Sequence, residues 1–267
     1  TDATEKPTAD PDSVKKFKDF EYTDNGETAV IYSYRGGSKE VDVPAEIAGM
    51  PVIGIRTEAF KGKVNIVSVN IGAAVTIGKN AFAGCSSLAS VTLPEGTESI
   101  GISAFEGCIS LASVALPQSL LMIGDRAFYG CTSLAQADIA AVTSLGAQTF
   151  EGCTALASVY MPSLERIGES AFKGCTALAT AALDGTVNAL PDELFSAALC
   201  IIADGGGVHV KNGVVKTAQH DGRAILIDYA FEKCGKLHGF SPFCSFSSAV
   251  LHFPECILIR CKSSALN

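Results

Sequence analysis

Apolar and polar positions recur along this chain with two periods at once. The short period is two residues: Val91 and Leu93, Val114 and Leu116, and Ala137 and Ile139 are each separated by one residue. Each pair therefore shares one side of a strand, and Ser90 and Thr92 take the other. The long period is 22 or 23 residues, read from the phenylalanines at 60, 82, 105, 128, 150, 172 and 195. Five of them sit in nearly identical text: IGKNAFAGCSSLASVTLP from Ile77, IGISAFEGCISLASVALP from Ile100, IGDRAFYGCTSLAQADI from Ile123, LGAQTFEGCTALASVYMP from Leu145 and IGESAFKGCTALATAAL from Ile167. Repeats of this length predict a stack of coils, each turning apolar residues inward that it cannot bury alone. The units around Phe60 and Phe195 lack Gly-Cys in its usual place, as end units do when they meet something other than another copy.

Within one copy, Leu88, Val91 and Leu93 follow the L-x-x-L-x-L spacing, and Leu111, Val114 and Leu116 repeat it. Pro94, Pro117 and Pro162 follow the strand at once, where a residue without N–H ends ladder pairing. The Ala-Phe segment, such as Lys79 to Ala83, is too short for a stable α-helix and reads as a helical or 3₁₀ turn on the outer side, its Phe pointing in. Gly84, Gly107, Gly130, Gly152 and Gly174 come just after it, where a sharp reversal favours positive φ. The fold class that follows is an α/β repeat solenoid, a short coil with a parallel β-sheet on one face. Strands about 4.8 Å apart would make that sheet on the order of 30 Å wide.

The pattern I-G-x-x-A-F-x-G-C-x-x-L-x-x-V-x-L-P, as it stands at Ile77–Pro94 and Ile100–Pro117, resembles the BspA-type leucine-rich repeat family. The resemblance covers about residues 51–198, and the segment from Ile227 to Leu237 looks like one further copy. It implies a right-handed leucine-rich-repeat coil. It also implies a bacterial surface or secreted protein that engages another protein, such as host matrix or another cell. The organisation expected is a disordered tether at 1–16, an N-terminal β cap at 17–50, the repeats at 51–198, a hairpin insertion at 199–226 around Asn212-Gly213, the further copy at 227–240 and a divergent C-terminal cap at 241–267. In the cap, Phe17 to Tyr34 reads as two strands around Asp24-Asn25-Gly26, and Lys39 to Pro44 imitates a repeat strand.

Composition narrows the function. Lys+Arg 20 against Asp+Glu 28 gives a net charge of -8, so no broad basic surface exists for nucleic acid. Apolar residues at 48% with charged residues at 18% exclude a disordered chain, and no apolar run reaches the length of a membrane span. The chain begins with Thr, which fits either a leader already removed or a trimmed start; a removed secretion signal and an extracellular or cell-surface location are what the family resemblance implies.

Chemistry is scarce. Cys85, Cys108, Cys131, Cys153 and Cys175 recur with the repeat, and Cys234 keeps the same offset from Phe231, so they read as a buried ladder of small apolar residues. Cys200, Cys244, Cys256 and Cys261 lie off the ladder, and their pairing is left open. The rival is zinc, at Cys234-x₃-His238 with His252-x₃-Cys256, although Cys234 already belongs to the ladder. G-x-S-x-G and H-E-x-x-H are absent, no nucleophile has a plausible base, and the expectation is a non-enzyme without cofactor or metal. What remains is the outward side of the repeat strands: Ser90, Thr92, Ser113, Ala115, Gln136, Asp138, Ser158, Tyr160, Thr180 and Ala182, with Tyr160 the one large aromatic. This stripe is the candidate partner-binding face, and an ordinary solvated sheet is the alternative. The function expected is an exported interaction or adhesion module; the alternative is a passive cell-surface spacer.

Overall fold

A computed structural model of the chain describes residues 14–178 and, as backbone strands, Thr180–Leu183, Cys200–Ala203, Gly207–Lys211 and Val214–Ala218. The Phe195 unit, the copy at 227–240, the cap at 241–267, the zinc alternative, the thiols Cys244, Cys256 and Cys261 and most of the tether lie outside the described residues.

The repeat strands do line up. Glu40–Val43, Ser68–Ile71, Ser90–Thr92, Ser113–Ala115, Gln136–Asp138, Ser158–Tyr160, Thr180–Leu183 and Cys200–Ala203 form one eight-stranded sheet in that order, parallel throughout. The alternation predicted from the sequence is what aligns them. Val91, Val114, Ala137 and Val159 point inward from the middle of successive strands and stack in register. Cys200–Ala203, which the sequence places in the insertion, extends this sheet beside Thr180–Leu183. Gly207–Lys211 and Val214–Ala218 then pair antiparallel, with Lys211 opposite Val214.

A single parallel sheet is not the whole architecture. The Ile-Gly segments build a second ladder, in which Thr76–Ile77, Ser99–Ile100, Met122–Ile123, Ser144–Leu145 and Arg166–Ile167 pair in parallel. This ladder continues through Met50–Ile55 into the strands Ala29–Tyr34, Phe20–Asp24 and Lys15–Phe17, the last three antiparallel to one another. Lys15 and Lys16, assigned from sequence to the tether, lie in that first strand, and Lys15 Nζ reaches Asp24 Oδ2 at 2.8 Å.

The α/β label is corrected: no helix occurs among the described residues. Hydrogen bonding shows why. In an α-helix every N–H returns to the carbonyl four residues back. Here alternate N–H groups leave the turn altogether: Asn80 N donates to Ile102 O at 2.9 Å, Phe82 N to Ala104 O at 2.7 Å and Gly84 N to Glu106 O at 2.7 Å, all in the next coil. The intervening groups close three-residue turns, Ala81 N to Gly78 O and Ala83 N to Asn80 O. Left-handed φ values of 54° at Asn80 and 71° at Gly84 produce this alternation. The left-handed conformation costs a non-glycine residue about 1–2 kcal/mol, yet Glu58, Ser103, Arg126, Gln148 and Ser170 adopt it at the same repeat position. Glu58, Ser103, Arg126 and Gln148 each send the N–H to the next coil at 2.8–3.0 Å, and that bond opposes the strain.

Between the three ladders the side chains form continuous columns. The rings of Phe82, Phe105, Phe128, Phe150 and Phe172 stack at centroid distances of 5.2–5.5 Å with interplanar angles of 1–5°. Phe60 continues the column at 4.7 Å, and Tyr34 closes it at 5.4 Å, so the hairpin end supplies the ring that a further coil would have given. Cys85, Cys108, Cys131, Cys153 and Cys175 are buried and unbridged, and each donates its thiol to the Phe carbonyl of the preceding coil, as Cys131 Sγ does to Phe105 O at 3.2 Å. Burial pushes the Cys85 thiol up to about 11 and Cys175 to about 12, with Cys108, Cys131 and Cys153 further above the usual range. A thiol so far from ionisation is a poor nucleophile. In folded protein treated with iodoacetamide at neutral pH, peptide mass spectrometry should find these five unmodified, and unfolding in guanidinium should expose all of them. Rapid labelling of Cys131 in the folded state would contradict the buried ladder.

One column contains an exception. Val75, Leu120, Val142 and Leu164 occupy equivalent buried places, but the position between Val75 and Leu120 holds Thr97, fully buried, with its hydroxyl oxygen unpartnered. An unmade hydrogen bond of this kind costs about 1–3 kcal/mol. Thr97→Val, which keeps the shape, should therefore raise the unfolding free energy by about 1 kcal/mol or more. A lower melting temperature for Thr97→Val would show that the hydroxyl is satisfied.

Candidate partner-binding face

The eight-stranded sheet turns every second side chain outward, and register sorts these into two columns. The first runs Glu40, Ser68, Ser90, Ser113, Gln136 and Ser158, and the second Asp42, Asn70, Thr92, Ala115, Asp138 and Tyr160. The sequence-predicted residues Ser90, Thr92, Ser113, Gln136, Asp138, Ser158 and Tyr160 are all exposed and all on this surface. Thr180 takes the next place in the first column by backbone register, opposite Ser158. Tyr160 is 49% exposed and is the sole large aromatic on the described part of the face.

The floor around Tyr160 is low. Across the paired strand the outward residues are Gln136 and Asp138, and beyond them Ser113 and Ala115, then Ser90 and Thr92, mostly short side chains fixed by backbone pairing. Asp138 lies directly opposite Tyr160, and its Oδ1 accepts Ala140 N–H at 3.1 Å. At the other end Asn70 Nδ2 donates to Asp42 Oδ1 at 3.2 Å. Sequence reasoning left out Glu40, Asp42, Ser68 and Asn70. Glu40 and Asp42 precede the first Phe turn, and the Phe60 coil that carries Ser68 and Asn70 has Lys63 where the Cys usually stands, but Ile66, Val69 and Ile71 keep the apolar spacing that would have revealed that pair.

The open edge of the sheet is guarded. At Glu40–Val43 the Ser38 hydroxyl donates to Glu40 O at 2.6 Å and accepts Glu40 N–H at 3.2 Å, occupying backbone groups another strand would need. The turn face is locked between coils: Arg126 donates to Glu106 at 2.7 and 3.3 Å and lies 4.1 Å from the Tyr129 ring centroid. This hydrogen-bonded guanidinium holds the Glu106 carboxyl below its ordinary range. Near the hairpin, a shallow cavity is lined by Lys16, Lys18, Asp19, Phe20, Glu21 and Arg35, and its Glu21 is already bonded by Ser33 and by Arg35. Among the described residues no group of three or more His, Cys, Asp or Glu is placed to hold a metal ion, and no helix is long and apolar enough to cross a membrane.

Comparison with known proteins accounts for the columns. The model of the BspA type leucine rich repeat region matches residues 53–179 as six copies. A leucine-rich repeat protein of T. pallidum, TpLRR, is 33% identical; the match covers 61% of this chain and 90% of that one, with a TM-score of 0.56. The chain belongs to the BspA-type leucine-rich repeat family. The solved structure of a leucine rich cell surface protein from Faecalibacterium prausnitzii is 21% identical over 79% of this chain and 85% of that one, at a TM-score of 0.40. A leucine-rich repeat protein from Bacteroides ovatus is 17% identical over 73% and 82%, at 0.35. No curated protein matches. In this BspA-type chain the six matched copies begin at Ile53, so the family pattern takes in the Phe60 coil that lacks Gly-Cys.

Proposed function

We propose that this BspA-type repeat chain is a non-catalytic interaction module, exported or held at a cell surface, that binds a protein partner through the outward face of its eight-stranded sheet. The observation that carries the reading is the face itself: two registered columns of mostly small or polar side chains, acidic at Glu40, Asp42 and Asp138 and broken by one half-exposed tyrosine. Solenoids use such extended surfaces for binding. A tyrosine rising from a flat polar floor offers a large contact at low entropic cost, which is the character of an interface hot spot. Export and surface location follow from the family resemblance.

Immobilised matrix proteins and cell extracts, passed over the purified chain, identify a partner by specific retention. Tyr160→Ala should weaken that partner by about 2 kcal/mol, roughly thirty-fold, and leave the melting temperature unchanged, because the ring lies outside the buried columns. A partner held equally well by Tyr160→Ala would remove this face as the interface, and a passive spacer would retain no protein specifically.

A further inference from the structure

Across the two strands Gln136–Asp138 and Ser158–Tyr160, Asp138 and Tyr160 are register partners. Strand spacing of about 4.8 Å sets the carboxylate and the ring side by side. Both are exposed, and on the other side of Asp138 the column continues with Ala115, too short to cover the carboxylate. The Ala140 N–H on Oδ1 orients that carboxylate without neutralising it.

Charge on this face has one sign. Its described strand positions carry Glu40, Asp42 and Asp138 and no lysine or arginine. Elsewhere the carboxylates of Glu21, Asp24, Glu58 and Glu106 each have a cationic side chain beside them. Asp138 has no lysine or arginine partner among the described residues.

We propose that Asp138 and Tyr160 together seat one arginine side chain of the protein partner. The inference rests on the sheet face being the interface. A guanidinium is a planar fork that can bond a carboxylate along its edge while its face stacks on an adjacent aromatic ring, and it is more weakly hydrated than an ammonium. Stacking of a cation on tyrosine adds an attraction that a neutral side chain lacks. Lysine satisfies the charge but cannot bond and stack as a plane. Citrulline keeps the plane and lacks the charge.

The test uses the full chain and three capped peptides, Gly-Ser-Arg-Ser-Gly and its lysine and citrulline counterparts, followed by amide chemical shifts. The arginine peptide should shift the amides of Asp138 and Tyr160 and their strand neighbours selectively, and bind at least about three-fold more tightly than the lysine peptide, with citrulline weaker still. Asp138→Asn and Tyr160→Leu should each weaken the arginine peptide about five-fold or more, with melting temperatures unchanged. Equal binding of the arginine and lysine peptides, shifts spread over the acidic surface, or indifference to Asp138→Asn would each overturn the proposal. The captured partner separates this failure from that of the wider reading. If its binding falls with Tyr160→Ala but not with Asp138→Asn, the face stands and the arginine seat is refuted; if it ignores both substitutions, the face itself is refuted.

Discussion

Phe128→Ala should destabilise the chain by about 3–5 kcal/mol, a value to be read from urea-induced unfolding. The Phe128 ring is fully buried, stacked 5.3 Å from Phe105 on one side and 5.3 Å from Phe150 on the other. A core gap costs less when its surroundings can collapse into it. Here they cannot, because the coils above and below are held at strand spacing by three separate ladders of backbone hydrogen bonds. The cost should therefore fall toward the upper end of that range. Because each coil touches only its neighbours, amide exchange should rise first in the coils of Phe105, Phe128 and Phe150. A loss below about 1 kcal/mol would mean that the ring column is not a packed core.

Gly146→Ala should also be strongly damaging, although it adds only one carbon. A Cβ at Gly146 would lie 2.4 Å from Asp125 N and 2.6 Å from Gly124 C, atoms of the preceding coil's backbone. The Asp125 carboxylate, also in the way, could swing aside, but these two backbone atoms cannot, so relief requires separating the two coils. Overpacking usually costs about 1–3 kcal/mol, and a clash with backbone on the ladder side should reach or exceed the upper end. Gly130→Ala is the matched control. Gly130 has φ of 68° and nothing within 4 Å of its absent Cβ, so its substitution should cost only the left-handed penalty of about 1–2 kcal/mol. Equal losses for the two variants would contradict the close approach of adjacent coils.

These two glycines mark where the sequence was readable. Gly130 stands after the Ala-Phe turn, and its positive φ follows from the need for a reversal there. Gly146 belongs to the Leu-Gly pair, whose two-residue strand Ser144–Leu145 has a single inward residue and hence no alternation to announce it. The second ladder stayed hidden for that reason. The α/β label failed for a related one, although the short turn with its inward Phe is there. Its left-handed position is filled by Glu58, Asn80, Ser103, Arg126, Gln148 and Ser170, which share no chemistry, because the conformation is imposed by the neighbouring coil and not by the residue. The buried columns, by contrast, were legible, since Phe, Cys and Leu must recur wherever coil must fit on coil. So was the outward side of the strands, from the two-residue period alone. Which outward residue meets a partner is another matter: packing places no demand on Ser113 or Gln136, and nothing periodic distinguishes Asp138 from its neighbours.

All of this depends on coil sitting on coil in fixed register, and hydrogen-bond scalar couplings between amide nitrogen and carbonyl carbon test that most directly. In labelled protein, the amides of Phe82, Phe105, Phe128 and Phe150 should couple to the carbonyls of Ala104, Ala127, Thr149 and Ala171, each in the following coil. Couplings from those amides to carbonyls four residues earlier in their own segments, as in a helix, would contradict the stacked solenoid and the face built on it.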